Sequence, residues 1–262
     1  MNNEQIQTSS SKTLFIPLLA RASEMKQNAP VVQDKKAVEI MAQIETGDII
    51  VNGGKMATHG ILARTKVIDD EVIKILLEKP NITIINLGSG LDTRISRIDN
   101  GQLKWFELDL PDVITLRKKY FTENERIRFI SKSVLDDTWV QDIGNINTDS
   151  IVIIAEGLLM YFSEKDVKHI FQLLSDNFPN AHMYFDVVHS FFVGKGISST
   201  FLWGLDKAEN VKSINQNIQL VRSWSTGDVL KSRQSLFFRM MNIFPSTKNR
   251  SQILNIRFCN KK

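Results

Sequence analysis

Ile84-Ile85-Asn86-Leu87-Gly88-Ser89-Gly90-Leu91-Asp92-Thr93-Arg94 runs an apolar stretch into Gly-x-Gly and then into a segment able to start a helix. A strand that ends this way lets backbone approach a ligand closely, with helix N–H groups turned toward it. The dinucleotide-binding version of this turn wants a third glycine at position 93, close to a pyrophosphate. Thr93 stands there instead. That argues against NAD and toward a ligand without a pyrophosphate. S-adenosylmethionine, with its adenosine, ribose and amino-acid end, is such a ligand. Gly-x-Gly by itself also occurs in ordinary turns.

The next apolar run, Trp105-Phe106-Glu107-Leu108-Asp109, puts Glu107 and Asp109 nineteen and twenty-one residues after Gly88. They alternate with Phe106 and Leu108 and so share one face of a strand. An acid at the end of that strand accepts hydrogen bonds from ribose hydroxyls. Solvation of a strand end is the competing explanation.

Working outward, further strands are expected at Ile127–Ile130, Ile151–Ala155 and His182–Val188. Helices are expected from Asp92, from Pro111 to Tyr120, and from a Ser163/Asp166 start to Phe178. Alternating strand and helix at this spacing predicts a doubly wound α/β fold with a mostly parallel sheet. Ile218–Trp224 and Ile253–Phe258 read as two closing strands, making seven.

Before the sheet, residues 13–80 read as an N-terminal helical cap, after a flexible tail at 1–12. Thr13–Lys26 has helical spacing, with Pro17 in its first turn. Asp34 caps Lys35–Ile44, which Gly47 stops. Val51–Lys55 reads as a loop. Thr58 caps a long helix that ends at Pro80. Residues 189–217 read as a lid-like insertion over the sheet edge. Its Phe191, Phe192, Phe201 and Trp203, with Trp224, either wall a substrate pocket or simply pack. One domain, 13–262, is expected.

The chain has 262 residues, 42% of them hydrophobic and 24% charged, which excludes global disorder. Its one cysteine, Cys259, excludes a disulfide framework and a four-cysteine zinc site. No two of the four histidines are spaced as metal ligands, so no metal is expected. The net charge of +4 does not imply nucleic acid. Val229–Lys262 nevertheless carries eight Lys/Arg and no Asp/Glu, either a solvated rim or an electropositive field near an anionic substrate. No apolar run reaches the roughly 18–20 residues of a membrane span. The polar N-terminus lacks the features of a signal peptide, so a cytoplasmic location is the expectation. His189 follows Asp186 by three, past the C-terminal end of the fifth strand, where ligands of open α/β sheets sit. Both are candidate bases.

Asn86-Leu87-Gly88-Ser89-Gly90-Leu91-Asp92-Thr93-Arg94, Glu107-Leu108-Asp109-Leu110-Pro111 and Glu156-Gly157-Leu158-Leu159-Met160-Tyr161 together resemble the leucine carboxyl methyltransferase family. Within it the sequence is most similar to the bacterial tetracenomycin-type O-methyltransferases, over about Thr13 to Phe258. The resemblance implies a class I, Rossmann-like methyltransferase fold and S-adenosylmethionine as cofactor. It implies that Arg64 reaches the methionyl carboxylate and that Gly88 and Gly90 line the methionyl end. Asp109 would hold the ribose, with Glu107 as the alternative. Ser133, Val134 and Leu135 would contact adenine, and Glu156 would sit at the cofactor's edge. An aspartate is common in the eukaryotic branch where Val134 stands, so a polar adenine contact there is not carried over. No Asn/Asp-Pro-Pro-aromatic motif follows the fourth strand, which weighs against methylation of nucleic-acid bases.

The implied activity is O-methylation of a carboxylate on a small molecule or peptide. O-methylation of a phenol or alcohol in a natural product is the alternative. Two rivals belong to other classes: a non-catalytic cofactor-binding or docking module, and a nicotinamide oxidoreductase, which Thr93 weakens.

Overall fold

A computed structural model describes residues 9–44, 54–144, 146, 150–195, 200–234, 236–241 and 250–259. Seven strands form one sheet: β1 (Thr83–Leu87), β2 (Lys104–Asp109), β3 (Ile127–Ser131), β4 (Ile151–Ala155), β5 (His182–Val188), β6 (Ile218–Ser225) and β7 (Ser251–Phe258). Their order is β3-β2-β1-β4-β5-β7-β6. The first five in that order pair in parallel; β7 pairs antiparallel with both β5 and β6. β1 and β4 are buried at every residue, as parallel strands covered on both faces should be. The chain winds outward from β1 through β2 to β3, then returns to β4 on the other side. The C-terminal ends of β1 and β4 are therefore a switch point, the place where open α/β sheets bind ligands.

Eight helices are described: α1 (Ser9–Glu24), α2 (Lys35–Met41), α3 (Gly54–Glu78), α4 (Ile95–Ile98), α5 (Pro111–Arg117), α6 (Trp139–Ile143), α7 (Glu164–Asn177) and α8 (Leu236–Met241). One face of the sheet packs Val67, Ile68, Val72 and Leu76 of α3 and Ile95 and Ile98 of α4 against β1, β2 and β4. The other packs Val167, Ile170, Phe171 and Leu174 of α7. Each such large side chain contributes roughly 1.5–3 kcal/mol when fully buried. Trp203, Leu205, Ala208, Val211 and Ile214, from the segment after β5, belong to this second core. A third cluster joins Phe15, Leu18 and Ala22 of α1 to Ala37, Ile40 and Met41 of α2 and to Leu91.

Several boundaries differ from the sequence reading. Pro17 is the ninth residue of α1 rather than in its first turn, because the helix begins at Ser9. α3 begins at Gly54, so Thr58 lies inside it and is not its cap. Gly54 accommodates a φ of +55°, open to glycine at little cost. α2 ends at Met41, α4 starts at Ile95 and α5 ends at Arg117. Asp92 accounts for the late start of α4: its Oδ1 accepts the Arg94 N–H at 2.9 Å, an Asx turn that competes with the helix. Gly47, Gly53 and most of the tail at 1–12 lie outside the described residues. Two caps fall where expected: Asp34 accepts from Ala37 N, and Ser163 from Asp166 N. Among the described residues no helix is long and apolar enough to cross a membrane.

Candidate active site

The turn after β1 is built on two left-handed glycines, Gly88 at φ +61° and Gly90 at φ +49°. A Cβ on Gly88 would lie 2.5 Å from Leu158 Cδ1, so the loop and the segment after β4 meet there. Gly88 N and Ser89 N donate to Leu108 O, fastening the loop to β2. Gly90 N donates to Asp109 Oδ2 at 2.7 Å, and Leu110 N to Asp109 Oδ1 at 2.8 Å. The Ser89 hydroxyl is buried without a hydrogen-bond partner among the described residues. The two acids of β2 divide in role. Asp109 is only half-buried at the mouth. Glu107 is wholly inside, taking hydrogen bonds from Asn86 Nδ2 at 2.9 Å and from Arg117. Arg117 also donates to Gly90 O at 3.0 Å, so this pair braces the loop from below. Burial pushes the Glu107 carboxyl up to about 7 against the pull of Arg117. Burial also raises Asp109, partly offset by the Gly90 and Leu110 N–H groups.

A chain of ion pairs runs beside this loop. Arg64 of α3 donates through Nε to Glu156 Oε1 and through Nη1 to Asp186 Oδ2, each at 2.9 Å. Thr65 Oγ1 adds a third contact to Glu156 at 3.1 Å. Arg94, fully buried, donates to Asp69, Asp92 and Glu156. Arg97 reaches Asp69 and Asp34, and Arg21 reaches Asp34. Burial would raise Glu156 and Asp92, but the surrounding guanidiniums outweigh it and hold both carboxyls below their ordinary range. The linked carboxylates are Asp34, Asp69, Asp92, Glu156 and Asp186; the guanidiniums are Arg21, Arg64, Arg94 and Arg97. The network therefore holds one carboxylate more than it has guanidiniums, an environment that favours a cationic guest.

At the end of β5, Asp186 is 1% exposed and both its oxygens are engaged: Oδ2 by Arg64 and Oδ1 by Gly157 N at 2.5 Å. Gly157 has φ +71°, and a Cβ there would press on the Arg64 guanidinium at 2.9 Å. His189 caps a short 3₁₀ turn, Ser190–Phe192, by accepting the Phe191 N–H at Nδ1, 3.1 Å away. In the neutral ring that leaves the proton on Nε2. Asp206 Oδ1 lies 3.3 Å from Nδ1, but an Nδ1 that accepts the Phe191 N–H has no proton to give it. No contact links His189 to Asp186 among the described residues.

Residues 15–175 match the family model described as leucine carboxyl methyltransferase. The chain belongs to this family. It is an S-adenosylmethionine-dependent methyltransferase. The chain is 26% identical over 226 residues to the tetracenomycin polyketide synthesis O-methyltransferase TcmP of Streptomyces glaucescens, covering 83% of each protein. It is also 26% identical over 190 residues to the S-adenosyl-L-methionine-dependent methyltransferase dpfgK of Gibberella zeae, covering 66% of this chain and 63% of that protein. A DUF574-family protein of Streptomyces avermitilis superposes with a TM-score of 0.59 at 10% identity, over 94% of this chain and 97% of that one. That likeness concerns the fold, a class I Rossmann-like sheet.

The methyltransferase brings Arg64, Glu156 and Asp186 into direct contact and sets Gly88, Gly90 and Asp109 together at the ends of β1 and β2. Ser133, Val134 and Leu135 form the turn after β3: Leu135 N donates to Ser133 Oγ at 3.2 Å, and Val134 is buried with its carbonyl held by Trp139 Nε1. Tyr161 and Phe201 meet edge to face at 5.3 Å, as do Phe191 and Phe192. Leu202 N donates to Met160 O, folding this aromatic segment over the turn after β4. Tyr161, Phe191 and Leu202 remain exposed. Trp203 instead enters the core, and Trp224 packs on the core of the opposite face. Asn86, Asp69, Arg94, Arg97 and Arg117 carry the site's electrostatics yet were not singled out from sequence. Arg94 ends the glycine turn's sequence block, and Asp69 is a charge on an otherwise apolar face of α3; both are legible signals.

Proposed function

We propose that this methyltransferase methylates a carboxylate oxygen of a small molecule or peptide whose surroundings are largely apolar. The observation that carries the reading is that neither candidate base is free. Asp186 is held by Arg64 and the Gly157 N–H, and His189 accepts the Phe191 N–H. A carboxylate needs no base, being ionised at neutral pH with a pKa near ~4. A phenol or alcohol acceptor would need one. The family's description names a carboxyl acceptor, and the Streptomyces glaucescens relative is named as an O-methyltransferase.

The residues present suit the cofactor. The left-handed Gly88 and Gly90 give close backbone approach, and the unpartnered Ser89 hydroxyl sits between them. Bound S-adenosylmethionine supplies a methyl group on a positively charged sulfur. Gly88 and Gly90 would line its methionyl end and Asp109 would take the ribose hydroxyls. The turn Ser133–Leu135 would flank the adenine. Glu107 keeps Arg117 in place rather than reaching the ribose. Arg64 offers the methionyl carboxylate a guanidinium already oriented by Glu156 and Asp186. The one excess carboxylate of the network matches the cofactor's net single positive charge, its sulfonium and ammonium less its carboxylate.

The exposed edges of Tyr161, Phe191 and Leu202 would offer an apolar acceptor a wall beside the turn after β4. Holding the two reactants in near-attack geometry is worth roughly 7 kcal/mol or more. Turnover of S-adenosylmethionine to S-adenosylhomocysteine against a panel of apolar carboxylates, phenols and peptides tests the reading. Turnover with carboxylates, of small molecules or peptides, supports it; turnover confined to phenols or alcohols overturns it.

A further inference from the structure

We propose that Asp34 is a positioning residue of the cofactor site, locking the N-terminal helices onto the glycine loop so that cofactor binding and helix docking reinforce each other. This rests on the methyltransferase reading of that loop. A helix cap needs one side-chain oxygen, and Asp34 Oδ1 fills that role for α2 by accepting Ala37 N at 2.9 Å. The second oxygen is what capping does not explain. Oδ2 accepts from Arg21 Nε of α1 and from Arg97 Nη1 of α4, each at 2.8 Å, and from Thr93 Oγ1 in the loop between. All of this lies in the interior, with Asp34 and Thr93 0% exposed. A buried carboxylate is tolerated only when so paired, and removing one partner leaves charges stranded.

The contacts of Asp34 continue to the cofactor site in short steps. Arg97 grips Asp69 at 2.8 Å, and Asp69 holds Arg94 at 2.6 Å. Arg94 holds Glu156, and Glu156 holds Arg64. Apolar contacts run in parallel. Leu91, inside the loop, is buried among Phe15, Leu18, Ile40 and Met41. Leu14 of α1 sits against Gly90, 3.1 Å from where a Cβ would be. The loop that receives the cofactor is thus clasped by α1 and α2, with Asp34 as the charged clasp. Anything that binds the ordered loop must stabilise the docked helices, and the reverse holds by linkage.

Asp34→Asn separates capping from clasping, since Asn keeps a cap oxygen but loses the charge that Arg21 and Arg97 face. Calorimetry with S-adenosylmethionine should show affinity reduced tenfold or more, with the acceptor KM at saturating cofactor changed less than twofold. In the wild type, the cofactor should slow proteolysis within residues 9–44, and this protection should be lost in the variant. Ile170→Val, which loosens the core on the opposite face of the sheet and leaves the helical clasp and its ion pairs intact, should leave cofactor affinity within twofold. If Asp34→Asn fails to fold, Arg97→Lys, which keeps the charge but not the two-sided grip, should show the same loss. Wild-type affinity in a folded Asp34→Asn or Arg97→Lys protein, or an equal loss in Ile170→Val, overturns the proposal. Failure of the wild type to bind the cofactor overturns the underlying reading as well, and the wild-type arm reports that separately.

Discussion

Arg64 Nη1 lies 2.9 Å from Asp186 Oδ2, joining the long helix α3 to the end of β5. Nε of the same guanidinium holds Glu156 at the end of β4, so its orientation is fixed from two strands. If this oriented group receives the methionyl carboxylate, Arg64→Ala should cost roughly 2–4 kcal/mol of cofactor affinity, about 30- to 1000-fold in Kd. Arg64→Lys should recover part of that, because an ammonium lacks the fork. Isothermal calorimetry decides it. Unchanged affinity in Arg64→Ala would make the residue a structural strut between α3 and the strands and nothing more.

Gly88 faces Leu158 across the switch point. Gly88→Ala places a Cβ 2.5 Å from Leu158 Cδ1 at a φ of +61°. Left-handed backbone costs a non-glycine residue about 1–2 kcal/mol, and the overlap adds to this. Stability should fall, and the double variant Gly88→Ala/Leu158→Ala should recover the part due to overlap. A thermodynamic cycle over the four proteins measures that coupling. Strict additivity would show that the two side chains do not meet.

His189 bears on the acid–base question. With a carboxylate acceptor, His189→Ala should leave the single-turnover rate within about tenfold, and the pH–rate profile should be flat from about pH 6 to 9. A loss of roughly 10²–10⁴-fold with cofactor affinity intact, and a rising limb in the profile, would point to a hydroxyl acceptor.

Glu107 sets a stability window. Burial raises its folded-state value to about 7 from an ordinary 4.5. A carboxyl raised on folding stabilises the protein fully below its unfolded value, and that contribution is lost as pH rises through the folded value. The term is worth roughly 3 kcal/mol and should disappear between about pH 4.5 and 7. Denaturant unfolding across that range should show a downward slope in the wild type that Glu107→Gln flattens. An unchanged slope in the variant would assign the pH dependence to other groups.

The sheet was legible in the sequence because each strand is a short apolar run bounded by turn residues, Ile151–Ala155 most plainly. The glycine turn and Asp109 were legible because their spacing is local. The start of α3 was not, since Gly53-Gly54 reads as a helix breaker while Gly54 in fact begins the helix. The ion-pair network was the least legible part. Asp34 and Arg97 are 63 residues apart, and Arg64 and Asp186 are 122 apart. Nothing in local periodicity says which charges will meet. Local sequence shows in Asp34 only the cap formed by one oxygen, while its other oxygen answers to residues that only the folded chain brings near.

The chemistry of the methyl group after transfer tests the carboxylate reading most directly. Acceptor labelled from S-adenosylmethionine carrying a radioactive methyl is isolated and treated with mild alkali. A methyl ester hydrolyses and releases the label as volatile methanol, which is the result expected here. Label that stays on the acceptor through the same treatment is not an ester methyl, and would contradict a carboxylate acceptor.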